Sequence, residues 1–291
     1  MKAKSIRKIL GIALALALGA SALRAEVDEV LPLHIAAAGF AKSDTKGKLS
    51  AGPLIDYLQA GLGRPVRMIS YPGYNDVLVT LGGGGIDLAI LPPIVNLHAT
   101  EAGLSRPLAY GIYPTGTYTY RAYVLARKDD PKIKDVKDLK GQKIAFVDMS
   151  SASGYVFPKL ALQEAGVGPK DVVDVFAGNH PAALKALDSG QVAAAAVYEL
   201  LFHPSNVDRK DLANYRILAT TDPVAAEAVV ATNTCKAADA EKVRDLLLSY
   251  HARRTEKKEW SEGRYIGFIP ADPFVLAGVR RSYHRLIPDA H

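Results

Sequence analysis

The sequence predicts an α/β protein of two lobes, each built on a mainly parallel β-sheet with flanking helices. Short apolar strand patterns alternate with helix patterns, the alternation restarts after a polar connector, and a weak internal repeat relates the two parts. Apolar strands that alternate with helices are typical of parallel sheets covered on both faces. A chain of 291 residues is long enough for two such units.

The first 25 residues have the pattern of a secretory signal peptide. Four basic residues precede an apolar run at 9–18, and small residues with cleavage-site spacing follow at 20–22 and 23–25. The run is too short to span a bilayer as a stable helix, although a short N-terminal anchor is the alternative. No cysteine near either cleavage point offers a site for a lipid. We therefore expect a periplasmic, unlipidated protein.

Charge and cysteine content exclude several classes of protein. Loss of residues 1–22 removes four basic and no acidic residues, which lowers the net charge from +6 to +2. The basic composition therefore does not indicate a nucleic-acid partner. One cysteine, Cys235, excludes an internal disulfide, a cysteine-based zinc site and a redox pair.

Strand and helix patterns follow one another in two series. The first series has strands at 33–37, 66–70 and 86–91, with helices that begin at 53 and 76. After a strand at 121–126 and a polar connector at 127–140, the second series has strands at 143–147, 172–176 and 192–197 and helices at 155–165 and 181–187.

The internal repeat predicts a shared ligand cleft. A shift of 106 residues aligns segment 81–89 with 187–195, and both read as a helix end, a glycine turn and a buried strand. The same shift aligns Tyr74 with His180, each between a strand and a helix. Ligands of α/β sheets bind at the carboxyl ends of strands, so these side chains are expected to face each other across a cleft. The alternative is a turn tyrosine and a solvated histidine.

Residues 148–155, with the sequence DMSSASGY, lie between a predicted strand and a predicted helix. Small hydroxyl residues there cap the helix, and its free N–H groups also make an anion site. Three serines exceed what one cap requires, and Gly154 allows the backbone to approach a ligand closely. We therefore favour an anion-binding loop over a plain cap. No lysine or arginine lies within the loop, so binding is expected to rest on neutral donors.

This loop, with Pro158, residues 178–180 (GNH) and residues 189–193 (SGQVA), resembles the phosphonate-, phosphite- and phosphate-binding periplasmic proteins of ABC transporters. Further similar segments are YRAYVLARK at 120–128, DLKGQK at 138–143 and GFIPADPF at 267–274. The resemblance covers most of the chain after the leader. It implies a venus-flytrap fold that closes on a small oxyanion between its lobes.

The resemblance also implies site residues. Expected ligand-binding residues are Tyr74, Ser150, Ser151, Ser153, Gly154, His180 and Tyr198. Two positions depart from the family pattern. Ala152 stands where the family often has threonine, and Tyr198 followed by Glu199 stands where phosphonate binders place an acid for the ligand's amino group. The ligand therefore stays open among phosphate, phosphite, phosphonates and other small anions.

From the same resemblance we expect lobe 1 at residues 26–120 and 230–291, and lobe 2 at 121–229, after a signal peptide at 1–25. The expected partners are a small oxyanion and an ABC permease in the inner membrane. A membrane sensor kinase is the alternative partner. We expect a monomer without a cofactor.

Enzyme functions have weaker support. The chain has no G-x-S-x-G elbow, H-E-x-x-H motif or phosphate-binding P-loop, and its histidines lack metal-ligand spacing. The S-x-x-K pattern at 43–46 lacks its usual companion motifs. Cys235, beside Lys236 and before a predicted helix, is a candidate acidic nucleophile. A passive loop cysteine is the favoured interpretation, and we expect no enzymatic activity.

Overall fold

The computed structural model describes residues 31–38, 51–204, 206, 209–251 and 264–287. The predicted signal peptide at 1–25 and the S-x-x-K pattern at 43–46 lie outside these residues. Within the described part of the chain, no helix is long and apolar enough to cross a membrane.

The strands described are β1 (Leu33–Ala38), β2 (Val66–Tyr71), β3 (Leu88–Leu91), β4 (Ser105–Ile112), β5 (Thr119–Tyr120), β6 (Ala122–Arg127), β7 (Lys143–Phe146), β8 (Val173–Phe176), β9 (Ala194–Tyr198), β10 (Tyr215–Thr220), β11 (Val224–Ala225), β12 (Ala228–Thr232) and β13 (Gly267–Pro270). The α-helices are α1 (Gly52–Leu62), α2 (Tyr74–Gly83), α3 (Pro93–Glu101), α4 (Phe157–Glu164), α5 (His180–Asp188), α6 (Ala237–Leu248) and α7 (Pro273–Leu286).

Two large sheets confirm the α/β fold class with two sheet-based lobes. The first has six strands in the order β13-β4-β12-β3-β1-β2, and the second has five in the order β10-β6-β9-β7-β8. The first takes strands from residues 33–112 and 228–270, and the second from residues 122–220. The proposed lobe boundaries at 26–120, 121–229 and 230–291 remain a prediction.

The strand directions correct one detail of the prediction, because both sheets are mixed and not mainly parallel. β1 is parallel to β2 and β3, and β7 is parallel to β8 and β9. β12 and β6, however, run antiparallel to their neighbours β3 and β9. Each of these strands follows a crossover from the other sheet. It therefore enters at the carboxyl ends of the parallel strands and runs in the opposite direction.

The two crossovers pair with each other. β5 and β11 form a short antiparallel ribbon in which Tyr120 lies opposite Val224 and Thr119 lies opposite Ala225. The backbone N–H of Ala226 extends this ribbon by donating to the carbonyl of Tyr118. The ribbon joins the sheets at the edge where the parallel strands end, which is where α/β folds place ligands.

Apolar packing continues from one sheet to the other. β3 is completely buried, as expected for a central strand covered on both faces. Ala152 and Phe157, which follow β7, belong to the same hydrophobic cluster as Tyr113 and Tyr120 at the first crossover. The two lobes therefore share one core beneath the cleft.

One lysine of the second lobe is buried in this fold. Lys159 of α4 is 1% exposed. Its Nζ lies 2.5 Å from Asp174 Oδ1, donates to the carbonyl of Pro169 at 3.0 Å, and lies 5.0 Å from the centre of the Phe146 ring. Asp174 therefore supplies the counter-charge that a buried ammonium group requires.

We predict that Asp174→Ala lowers the free energy of unfolding by about 2–4 kcal/mol, because it leaves the Lys159 ammonium group buried without its partner. Denaturant titration of both proteins measures this loss. The matched control is Lys140→Ala, which breaks the exposed Lys140–Asp171 pair and should cost less than about 1 kcal/mol. Equal losses in the two variants would contradict the assignment.

Candidate functional site

The serine loop, residues 148–155, is held by its own backbone and side chains. The N–H of Ser150 donates to Asp148 Oδ1 at 2.8 Å, and the N–H of Ser151 donates to the Asp148 carbonyl at 2.9 Å. A Cβ atom at Gly154 would lie 2.5 Å from the Val147 side chain. Only glycine fits this close approach, so the loop packs directly against the end of β7.

The helix that follows the serine loop begins with a π-helical turn, Ala152–Val156, which continues into α4. Ser151 caps the turn, because its Oγ accepts the N–H of Gly154 at 3.0 Å. The N–H groups of Ala152 and Ser153 have no hydrogen-bond partner among the described residues. Free N–H groups at a helix start are the donors that bind anions. The loop is therefore both a cap and a set of available donors.

Side chains at the start of α2, a helix of the first lobe, contact the serine loop. The hydroxyl of Ser150 donates to Asn75 Oδ1 at 3.3 Å. The side chains of Tyr74 and Ser151 are hydrogen-bonded, and burial raises the pKa of Tyr74 to about 12. Tyr74 is therefore a neutral hydroxyl donor at any physiological pH. These contacts bring the two lobes together across the cleft.

His180, at the start of α5, bonds to the loop from within the second lobe. Its Nδ1 accepts the N–H of Tyr198 at 3.3 Å, which places the ring proton on Nε2. Nε2 lies 3.4 Å from Ser153 Oγ, which also accepts from the Tyr120 hydroxyl at 3.2 Å. With both acceptor positions used, the proton of Ser153 is left to donate to a ligand. Burial and the charge of Arg264 lower the pKa of His180 to about 3, so the ring is neutral.

Three helices begin at this site. They are α2, the helix that begins at Ala152, and α5. The starts of α2 and of the helix at Ala152 carry free N–H groups, whereas at α5 Pro181 has no N–H and Asn179 caps the N–H of Ala182. All three starts direct the positive end of a helix dipole to the site, which attracts an anion. The hydroxyl of Ser153 provides a further donor. The arrangement suits an oxyanion with several oxygens.

An ion pair between a buried carboxylate and a half-buried arginine lies near these donors, and the sequence analysis did not include it. Glu227, which follows β11, is 6% exposed and pairs with Arg264. The hydroxyls of Tyr113 and Tyr265 donate to its Oε2 at 2.5 and 3.2 Å. Burial opposes ionisation of Glu227, but the charge of Arg264 and these hydrogen bonds hold its pKa below the ordinary value. Glu227 is therefore ionised.

Arg264 brings a positive charge to the site. Its guanidinium group is hydrogen-bonded to the side chain of Tyr198 and lies 5.8 Å from the centre of the Tyr113 ring. The Tyr198 ring packs on His180 with centroids 4.2 Å apart. The sequence analysis expected only neutral donors, but Arg264, 109 or more residues from the serine loop in sequence, acts by its charge on Tyr74 and His180 of the site.

The structure brings the predicted site residues together. Tyr74, Ser150, Ser151, Ser153, Gly154, His180 and Tyr198 form one network of hydrogen bonds and ring contacts. Their role in ligand binding remains a prediction. Glu227 carried a signal that sequence reasoning missed, since it is the only charged residue in the apolar run 224–231. Arg264 carried no comparable signal.

Cys235 lies away from this network. It follows β12, whereas Glu227 precedes the same strand, so the two residues lie at opposite ends of it. Burial and the charges of Asp87 and Asp239 raise the pKa of the thiol to about 11. This raised pKa argues against the alternative of an acidic, reactive thiol and agrees with the favoured interpretation of a passive cysteine. Among the described residues, no group of three or more histidine, cysteine, aspartate or glutamate side chains is placed to hold a metal ion.

Solved structures of similar fold include a binding protein of an ABC phosphonate transporter and a protein in complex with methylphosphonate. The binding protein component of an ABC phosphonate transporter from Pseudomonas aeruginosa superposes with a TM-score of 0.74 at 17% identity, over 88% of this chain and 86% of that one. PhnD1 from Prochlorococcus marinus, in complex with methylphosphonate, also gives 0.74, at 18% identity over 88% and 98% of the two chains. These likenesses support the venus-flytrap fold.

Sequence comparison is more specific. A family model for the periplasmic phosphonate substrate-binding protein of ABC transporters matches residues 41–274. The phosphate-import protein PhnD of Mycolicibacterium smegmatis is 30% identical over 229 residues, which are 73% of this chain and 71% of the relative. Because the family match spans most of the length and agrees with the fold, this chain belongs to the phosphonate-type periplasmic substrate-binding proteins of ABC transporters.

Proposed function

We propose that the protein binds a small phosphorus oxyanion between its lobes and delivers it to an ABC permease in the inner membrane. The observation that carries this proposal is the convergence of three helix starts on one network of neutral donors. A phosphoryl group offers three oxygens, and the free N–H groups at the starts of α2 and of the helix at Ala152 provide donors for them. The names of the relatives support phosphate and methylphosphonate as ligands to test.

The contacts across the cleft suggest how the lobes close. Tyr74 and Asn75 come from the first lobe, whereas Ser150 and Ser151 come from the second. An anion between them makes all its contacts only when the lobes are closed, so it stabilises the closed state. A permease that recognises the closed form would then receive the loaded protein.

We further propose that the protein is exported by its signal peptide, acts in the periplasm as a monomer, and is not an enzyme. The leader pattern at 1–25 supports export. The raised pKa of Cys235 removes the strongest candidate nucleophile. The side chains of His180 and Tyr74, which are two other titratable groups of the site, are held in hydrogen bonds, and this arrangement supports a role in binding.

A thermal-shift screen tests the function. We expect phosphate, phosphite or methylphosphonate to raise the melting temperature, since a ligand at about 100 times its dissociation constant adds about 2.7 kcal/mol of stability. Sulfate and small organic acids serve as controls in the same screen. A shift with an organic acid and with no phosphorus compound would overturn the ligand class and leave the fold intact.

The serine loop is tested by Ser153→Ala. This variant should weaken oxyanion binding by about 1–3 kcal/mol, because it removes a donor and leaves ligand oxygens unpaired. Isothermal titration calorimetry measures the change, and Ser189→Ala, at an exposed position in the same lobe, is the control. Ser151→Ala should also weaken binding, but it removes the helix cap and so lowers stability as well. Unchanged affinity in Ser153→Ala would contradict the assignment of the serine loop as the oxyanion site.

The neutral state of His180 predicts a pH dependence of stability. Between about pH 6.5 and 3 this histidine takes up a proton in the unfolded chain but not in the folded one. Its contribution therefore lowers the free energy of unfolding as the pH falls through this range, by at most about 1.4 kcal/mol per pH unit.

Denaturant titrations between pH 7 and 5, where most carboxylates stay ionised, measure this slope. His180→Gln should show a flatter profile than the wild type, and His251→Gln, at an exposed position, should keep the wild-type profile. An unchanged slope in His180→Gln would show that the ring titrates alike in the folded and unfolded protein and is not held neutral by the fold.

A further inference from the structure

We propose that Arg264 sets the ligand class, so that the site accepts anions without an amino group and rejects aminoalkylphosphonates. This inference rests on the proposed function, and it adds which phosphorus compounds the same site binds. The argument depends on which charges surround the anion site and on which of them are already paired.

Two tyrosine side chains separate the Arg264–Glu227 pair from the serine loop. The Tyr120 hydroxyl donates to Ser153 Oγ, and the Tyr120 ring packs edge-on against Tyr113 with centroids 5.4 Å apart. Tyr113 in turn donates its hydroxyl to Glu227. An anion held by the serine loop is thus separated from the ion pair only by tyrosine side chains.

Tyr198 links Arg264 to the site by a second route. Its ring lies between His180, at 4.2 Å, and Tyr120, at 6.4 Å between centroids. Its hydroxyl is hydrogen-bonded to the guanidinium of Arg264. The positive charge also reaches His180, whose protonation it opposes. Any substituent on phosphorus that extends toward these tyrosines therefore approaches a guanidinium group.

An ammonium group in this region would find its possible counter-ions already engaged. Glu227 accepts from Arg264, Tyr113 and Tyr265. Asp148 accepts the N–H of Ser150.

The carboxylate of Glu199, next to Tyr198, is engaged in the same way, because it accepts the N–H of Arg121 and the hydroxyl of Tyr123. Among the described residues, the ammonium group would thus lose its hydration, find these carboxylates already hydrogen-bonded, and meet the like charge of Arg264. Each of these effects opposes binding.

A simple anion meets the opposite conditions. The Arg264–Glu227 pair is neutral as a whole, but its guanidinium end is the one hydrogen-bonded to Tyr198 beside the site. Glu227 fixes that orientation together with two tyrosine hydroxyls, so it is a positioning residue. Phosphate, phosphite and methylphosphonate carry no group that this charge repels.

Calorimetric titration with methylphosphonate and with 2-aminoethylphosphonate tests the inference on the full-length exported protein. We expect the wild type to bind methylphosphonate at least about 100-fold more tightly, which corresponds to about 2.7 kcal/mol. Arg264→Met should reduce this ratio at least tenfold, because Glu227 is then free to pair with the ammonium group. Arg264→Lys keeps the charge and should keep the ratio within about threefold.

A double variant separates the effect of the Arg264 charge from the effect of the Glu227 charge. In Arg264→Met/Glu227→Gln the gain in 2-aminoethylphosphonate affinity seen in Arg264→Met should be lost, because no carboxylate remains. Glu227→Gln alone should weaken 2-aminoethylphosphonate binding further. It therefore tests the inference even if Arg264→Met does not fold. Arg280→Met, which removes an exposed arginine paired with Glu101, is the matched control and should leave the ratio unchanged.

Two results would overturn the inference. The first is equal affinity of the wild type for the two phosphonates, and the second is a ratio that a folded Arg264→Met variant leaves within twofold of the wild type. Failure of the wild type to bind any phosphorus oxyanion is a different result, which would overturn the proposed function itself. Circular dichroism of each variant confirms that the comparison is made between folded proteins.

Discussion

The pairing of β5 with β11 is the constraint on which the rest of the cleft depends. This short ribbon joins both crossovers, so the chain enters and leaves each sheet at one place. Tyr120 lies within the ribbon and Glu227 lies two residues after it. The segment that connects the lobes therefore also supplies the floor of the site, and closure of the lobes need not move these groups relative to each other.

Hydrogen bonding makes the site a single unit. Buried polar groups must find partners, and here those partners come from both lobes and from the crossovers. Ser153 is contacted by Tyr120 and His180, Ser151 by Tyr74, and Glu227 by two tyrosines and an arginine. The neutral imidazole and the high pKa of Tyr74 keep these donors in one protonation state. Donors that hydrogen bonds hold in place reduce the free energy that ligand binding must spend on ordering.

Much of the fold and part of the site follow from sequence patterns. The alternation of strands and helices correctly predicted two α/β lobes, and the shift of 106 residues placed Tyr74 and His180 at corresponding helix starts. The serine loop was recognisable because a cap and an anion site use the same small residues next to a glycine. The antiparallel directions of β6 and β12 were not predicted, because periodicity reports burial and does not report which edge of a sheet a strand enters.

The sequence by itself determined the features that depend on neighbouring residues: the α/β class, the helix start at the serine loop and the predicted leader at 1–25. Only the tertiary structure decided the electrostatics of the site. Arg264 is 37 residues from Glu227, and Tyr113 is 114 residues from it, so no local pattern connects them. A buried charge acquires its pKa, its partner and its function from the residues packed around it, and those residues are known only when the chain is folded.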